Sequence, residues 1–95
     1  MLVSISLNGH KKIRDTKWFT MYCTHEEFKP GKYNSLLLVE FKSGKFDSFS
    51  IVVDSGDKSS GEEAVFAFAN KLPETVDASY LKSLAKKNGM EVIED

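Results

Sequence analysis

Apolar and polar residues alternate along the first half of the chain with the two-residue period that is typical of half-buried β-strands. This alternation predicts four strands, near residues 1–8, 17–24, 35–42 and 46–54. An apolar run over residues 36–39 indicates that both faces of the third strand are covered, so we place this strand centrally in the sheet.

The segments between these strands break the alternation. Residues 10–15 are polar and basic, and they form a connection too long for a two-residue hairpin unless the flanking strands extend into it. Residues 25–34 are predicted to form a loop, and the spacing of Thr24 and Glu27 allows one helical turn at its start. A break in phase predicts a β-bulge near residues 47–48.

The second half of the chain changes to the period of amphipathic helices. The first helix is predicted over residues 62–72, with capping-box serines before it and Pro73 after it. Its predicted buried stripe consists of Val65, Phe68, Ala69 and Leu72. The second helix is predicted over residues 77–88, with Asp77 as its N-cap. Residues 90–94 fit either a short fifth strand or a tail over the core.

A run of strands followed by helices favours an α+β fold. We expect a four- or five-stranded, mainly antiparallel sheet with both helices packed on one face. The length of 95 residues fits one domain, which spans residues 1–95.

Charge is balanced over the whole chain but divided between its halves. The formal net charge is −1, whereas residues 1–45 carry +4 and residues 46–95 carry −5. Opposed charges on separate surfaces steer association with a partner. The alternative is that the two halves interleave in space and mix their charges on the surface.

The same composition bears on the compartment. No apolar run approaches 18 residues, so we expect no membrane span, and the first residues lack the basic stretch of a secretory signal. The single cysteine cannot form an internal disulfide, which suits a reducing cytoplasm.

Candidate chemistry is sparse. Cys23 and His25 share one side of a strand, like a nucleophile and its base, but a buried structural cysteine is the favoured interpretation because no third group is evident to orient the imidazole. The glycine-bounded loop before the first helix has Glu62 and Glu63 where a phosphate loop needs Lys and Ser or Thr. The histidines and cysteine lack metal-site spacing. We therefore expect no enzyme, no cofactor and no metal.

Two surfaces are candidates for binding. The first is an aromatic and basic face that consists of Trp18, Tyr22, Lys11, Lys12, Arg14 and Lys17. The second is an acidic surface that consists of Asp54, Asp57, Glu62 and Glu63. On the first face, Trp18 and Tyr22 alternate with the apolar core set, which predicts an exposed aromatic patch on the side away from the helices.

These surfaces favour a small intracellular protein-binding module: an inhibitor, an immunity protein or an adaptor that masks a partner's surface. The acidic surface suits a nucleic-acid mimic, whose partner would be a nucleic-acid-binding protein or an enzyme. The alternative is a single-stranded nucleic-acid-binding protein in which bases stack on Trp18 and Tyr22 and the basic segment 11–32 contacts phosphates. Homodimerisation through an exposed edge strand also stays open.

Overall fold

The computed structural model describes residues 10–42 and 47–94. Its elements in chain order are β1 (Lys11–Asp15), β2 (Phe19–Lys29), β3 (Lys32–Phe41), β4 (Asp47–Gly56), α1 (Lys58–Lys71), α2 (Ala78–Lys87) and β5 (Glu91–Ile93). The strand predicted over residues 1–8 lies outside the described residues, and so do residues 43–46 between β3 and β4.

The five strands form one sheet in the order β1-β2-β3-β4-β5, and every neighbouring pair is antiparallel. The predicted α+β class, with a five-stranded antiparallel sheet and two helices, is therefore confirmed. The strand with the continuous apolar run, β3, lies at the centre of the sheet as expected. Residues 91–93 form a strand rather than a tail, and they pair with β4.

One face of the sheet and the two helices enclose the core. The sheet contributes Phe19, Met21, Cys23, Leu37, Val39, Phe49 and Ile51, and the helices contribute Val65, Ala69, Leu81 and Ala85. Leu72 and Val76, on the connection between the helices, complete it. Of the stripe predicted for the first helix, Phe68 is partly buried against this core and the other three residues are buried.

The prediction of a loop over residues 25–34, with a helical turn at its start, is wrong. Strand β2 continues to Lys29, and Pro30 and Gly31 turn the chain directly into β3. Gly31 adopts a φ of 76°, which glycine reaches without steric cost, and its N–H donates to Oε2 of Glu27 at 3.1 Å. The polar residues here pair across a long hairpin, because backbone pairing does not require apolar side chains.

Residues 11–15 form strand β1 along the edge of β2, which is the case in which strand structure extends into this connection. The β-bulge predicted near residues 47–48 lies elsewhere in β4. No register shift occurs near residues 47–48; the shift in β4 leaves Val53 unpaired, because Ser35 pairs with Asp54 and Leu36 pairs with Val52. The bulge near residues 47–48 was expected because residue 46 is out of phase with the apolar residues of the strand, and residue 46 lies outside the described residues. The bulge at Val53 brings Asp54 to the helical side of the sheet, where it lies near Gly61.

Helix α1 begins four residues earlier than predicted. Asp57 is its N-cap, and an Asp57 carboxylate oxygen accepts a hydrogen bond from the Ser60 N–H at 2.8 Å. An aspartate caps a helix as well as a serine does, and Asp57 is the first such side chain after β4 ends at Gly56. The predicted cap of α2 is confirmed, since Asp77 accepts from the Tyr80 N–H at 2.8 Å.

Arg14 on β1 holds the other end of α1. Its Nη1 donates to the carbonyl oxygens of Ala69 at 2.6 Å and Leu72 at 2.7 Å. The Ala69 carbonyl also accepts from the Leu72 N–H at 3.3 Å, so Arg14 adds a charged donor at a helix end where carbonyls lack the N–H four residues on. The guanidinium also lies 5.4 Å from the ring centroid of Phe19. A cation at a helix C-terminus is favoured by the helix dipole as well as by these hydrogen bonds.

Within residues 10–42 and 47–94, no helix is long and apolar enough to cross a membrane.

We predict that Arg14→Met lowers the free energy of unfolding by about 2 kcal/mol, because it removes charge-assisted hydrogen bonds to two partly buried carbonyls. Urea unfolding measures this change. Lys12→Met is the matched control, since Lys12 is exposed and its ammonium lies 3.7 Å from Asp15 Oδ2; its effect should stay within about 0.5 kcal/mol. Equal effects of the two substitutions would contradict the role of Arg14.

Gly61→Ala tests how closely α1 approaches the sheet. Alanine ordinarily stabilises a helix by about 1 kcal/mol relative to glycine. Here the added Cβ would overlap Oγ and Cβ of Ser35, so we expect a loss of about 1–3 kcal/mol in urea unfolding. Adding Gly61→Ala to a Ser35→Gly background should cost less than adding it to the native chain. A gain in stability from Gly61→Ala alone would show that Ser35 moves aside at little cost, and it would contradict the close approach of α1 to the sheet.

Candidate functional site

A groove of about 490 Å³ lies beside Trp18 at the end of the sheet where β2 begins and β3 ends. We call it the Trp18 groove, and its walls are Lys17, Trp18, Phe41, Lys42, Thr75, Val76, Asp77 and Ala78. The Trp18 side chain is 49% exposed, although tryptophan is mostly buried in folded domains. The groove therefore presents a large aromatic surface to solvent.

The backbone that carries Trp18 is fixed by a local network. Thr16 Oγ1 accepts hydrogen bonds from the N–H groups of Trp18 and Phe19, each at 3.1 Å. The Trp18 carbonyl accepts from the Lys42 N–H at 2.8 Å, which ties this bend to the end of β3. A side chain on such a constrained backbone loses less conformational freedom when it binds a partner.

Charges of both signs surround the groove. Lys17 Nζ lies 5.4 Å from the Trp18 ring centroid. Lys42 Nζ donates to Asp15 Oδ1 at 2.6 Å, and this hydrogen bond lowers the pKa of Asp15 below its ordinary value. Asp77 is occupied as the cap of α2. Lys17 is thus the groove cation whose ammonium has no carboxylate partner within the described residues.

Tyr22 does not extend this surface. It is partly buried on the sheet face opposite the helices, and its ring meets the His10 ring edge-on at a centroid distance of 6.2 Å. Burial, with a smaller contribution from Glu40, raises the pKa of the Tyr22 hydroxyl. Trp18 precedes β2, so the strand alternation that placed it beside Tyr22 does not reach it. The structure separates the two aromatic residues that the sequence predicted to act together.

Most of the predicted basic residues have internal partners. Lys11 forms an ion pair with Glu62 at 3.0 Å, and its ammonium lies 5.5 Å from the Phe66 ring centroid. Lys12 lies 3.7 Å from an oxygen of Asp15. Arg14 holds the end of α1. Lys17, beside Trp18, is the member of the predicted set that borders the groove.

The predicted acidic surface is similarly divided. Asp57 caps α1, and its hydrogen bonds with Ser60 lower the pKa of its carboxyl. Glu62 pairs with Lys11, and Asp54 lies partly buried near Gly61. Glu63 remains exposed without an ion pair among the described residues. The Lys11–Glu62 pair joins the basic half of the chain to the acidic half, whereas the pairs Lys12–Asp15, Lys42–Asp15 and Lys82–Glu94 each lie within one half.

A second cavity, of about 500 Å³, lies between the sheet and the start of α1. We call it the Cys23 cavity, and it is bordered by His10, Lys11, Cys23, His25, Lys58, Ser59 and Glu62. Cys23 Sγ lies 3.8 Å from His25 Nε2, and His25 Nδ1 lies 2.8 Å from Ser35 Oγ. Ser35 is therefore the third group that orients the imidazole.

Burial controls the protonation of this pair. Burial raises the pKa of the Cys23 thiol, with Glu62 adding to the increase and Lys11 opposing it. Burial also lowers the pKa of His25, with a further decrease from Lys58. At neutral pH the resting pair is a neutral thiol beside a neutral imidazole.

Sequence reasoning did not find the residues that complete either site. Phe41 and Val76 reach the Trp18 groove from the end of β3 and from the segment before α2. Ser35 meets His25 because the two residues pair across the β2–β3 hairpin. A regular hairpin about the Pro30-Gly31 turn would pair Ser35 with Glu26, and the β-bulge at Phe28 shifts the register so that Ser35 pairs with His25 instead.

Within residues 10–42 and 47–94, no group of three or more His, Cys, Asp or Glu side chains could hold a metal ion. No protein-family model matches the chain, and comparison with curated proteins and with solved structures finds no match.

We predict that iodoacetamide alkylates Cys23 more slowly in the native chain than in the urea-unfolded chain at neutral pH, because the raised pKa leaves less thiolate. The difference between the two alkylation rates should narrow as the pH rises, because the unfolded thiol becomes fully ionised at a lower pH than the native thiol and gains no further thiolate. Mass spectrometry follows the single cysteine. Shielding alone would slow the native reaction by the same factor at every pH, so a constant ratio would contradict the shifted pKa.

Proposed function

We propose that this chain is a small protein-binding domain, an inhibitor or adaptor that docks its partner at the Trp18 groove. The observation that carries the proposal is the half-exposed Trp18 side chain beside Phe41 and Val76 in a groove of about 490 Å³. Tryptophan is enriched among the residues that dominate binding energy at protein interfaces. Such a residue tends to pack against a dominant residue of the partner, so an apolar side chain of the partner would enter the groove and contact Trp18.

The chemistry of the groove describes the segment that it would bind. Trp18, Phe41 and Val76 suit an apolar or aromatic side chain of the partner. Lys17 at the rim would attract a carboxylate next to that side chain, because its ammonium has no ion pair in the described part of the chain. We therefore propose a partner segment that combines a bulky apolar residue with an acidic neighbour.

The acidic surface gives weaker support to a nucleic-acid mimic than the Trp18 groove gives to a protein-binding domain. Two of its four carboxylates are engaged, Asp57 with the start of α1 and Glu62 with Lys11. Separating either carboxylate from its partner to bind a basic groove would cost those interactions. Glu63 is the member that could contact a partner at no such cost.

Single-stranded nucleic acid is the second candidate for the same groove. A base stacked on Trp18 with a phosphate on Lys17 would use the arrangement that the two side chains already have. Arg14 and Tyr22, which the nucleic-acid hypothesis also needs, are engaged within the fold. This engagement favours the protein partner.

Trp18→Ala should weaken capture of the partner by about 30-fold, which corresponds to about 2 kcal/mol at an interface hot spot. Phe28→Ala is a matched control, because Phe28 is an aromatic residue of the same 49% exposure on the β2–β3 hairpin. Immobilised native and variant chains are compared in affinity capture, and the captured protein is then titrated against each. The proposal requires loss with Trp18→Ala and retention with Phe28→Ala.

Equal capture by both variants would place the interface elsewhere. Fluorescence of Trp18, the single tryptophan of the chain, reports on the competing ligand. Quenching by a single-stranded oligonucleotide that is reversed by added salt, without any captured protein, would favour nucleic acid instead.

A further inference from the structure

The Cys23 cavity contains chemistry that protein binding at the Trp18 groove does not use. Its volume of about 500 Å³ lies within the range of small-molecule sites. Cys23 is 2% exposed, yet it borders this cavity, so a small molecule in the cavity would lie beside a thiol that is almost fully shielded from bulk solvent.

Three side chains on adjacent strands form an ordered chain of contacts beside the cavity. Ser35 is 1% exposed, and its hydroxyl lies against Gly61 of α1, which limits its movement. It contacts His25 Nδ1 at 2.8 Å. When Nδ1 carries the proton, its N–H donates a hydrogen bond to Ser35 Oγ, and the lone pair of Nε2 faces Cys23 Sγ across 3.8 Å. The imidazole is then oriented as a base for the thiol.

The charge at the cavity favours an anion. Lys11 and Lys58 border it, together with Glu62. Lys11 pairs with Glu62 at 3.0 Å, so these two charges offset each other. Lys58 has no ion pair in the described part of the chain, and its ammonium lies 5.5 Å from the Tyr33 ring centroid. The remaining positive charge would attract a carboxylate of a ligand in the cavity.

We propose that Cys23 is a modification site at which a small anionic disulfide enters the cavity and forms a mixed disulfide. The Cys23 proton passes to His25 Nε2 as Sγ attacks one sulfur of the ligand. A Cys23–ligand S–S bond forms and the ligand's own S–S bond breaks. The leaving thiolate takes the proton from His25, so Cys23 is oxidised and half of the ligand is released as a reduced thiol.

Disulfide exchange matches the groups that the cavity offers. It requires a thiol, a base and access for the ligand, and it needs neither water nor a site that stabilises a tetrahedral oxyanion. Lys58 supplies selectivity for a negatively charged ligand, and His25 removes the proton that burial holds on the thiol.

The test compares two disulfide probes on the full chain, the dianionic dithiobis(nitrobenzoate) and the neutral dithiodipyridine. The rate with each probe is measured on the native chain and on the urea-unfolded chain, and the single cysteine makes the reacting site unambiguous. The ratio of the anionic rate to the neutral rate should be several-fold higher in the native chain than in the unfolded chain. Burial of the thiol and its degree of ionisation change the rates with both probes, so these two effects largely cancel when one rate is divided by the other.

Lys58→Gln should bring the native ratio close to the unfolded value, and Lys87→Gln should leave it unchanged. Lys87 is the matched control because it is exposed at the end of α2 and does not border the cavity. His25→Gln should slow both probes by about tenfold or more, since the base is lost. Circular dichroism confirms that each variant is folded.

Intact-mass spectrometry of the native chain with oxidised glutathione gives a second measurement that needs no variant. One glutathione adduct on the folded chain, reversed by a reducing agent, supports the proposal. A native ratio at or below the unfolded one, a reaction that proceeds only as the chain unfolds, or a His25→Gln rate equal to the native rate would overturn it.

Discussion

The attachment of α1 to the sheet is the constraint on which the rest of this structure depends. At its start, Gly61 lies so close to Ser35 that a side chain larger than hydrogen does not fit. At its end, Arg14 binds the carbonyls of Ala69 and Leu72. Between these points Val65 and Ala69 close the core over the sheet. The helix start forms one wall of the Cys23 cavity, and the chain beyond its end continues into the Trp18 groove.

Many of the charged side chains in the described residues are paired locally. The basic and acidic halves of the sequence meet at Lys11 and Glu62. Arg14, from the basic half, neutralises the C-terminal end of a helix from the acidic half. Lys17 and Lys58 have no ion pair among the described residues. Lys17 borders the Trp18 groove, and Lys58 borders the Cys23 cavity. Both proposed sites use one of these cations for selectivity.

About half of each candidate site was accessible from the sequence. Trp18 was identified because it alternates with the apolar core set, and Cys23 and His25 were placed on one side of a strand by their spacing of two. Phe41 and Val76 were not found, because they reach Trp18 from segments distant in the chain. Ser35 was missed because residues 25–34 were interpreted as a loop, although they pair as a hairpin. Tyr22 lies on the sheet face away from the helices as the alternation predicted, but Trp18 precedes the strand and lies beside Phe41 and Val76 instead.

The class of fold, the central position of β3, the buried stripe of α1 and the N-cap of α2 follow from the amino-acid sequence alone. These features depend on side-chain period and on capping groups within a few residues of one another. The tertiary structure alone decided the hairpin register, the bulge at Val53 and the residues that surround Trp18 and Cys23. The reason is physical: strand pairing and helix packing join residues far apart in the chain, and their geometry follows from backbone hydrogen bonding and shared burial rather than from local pattern.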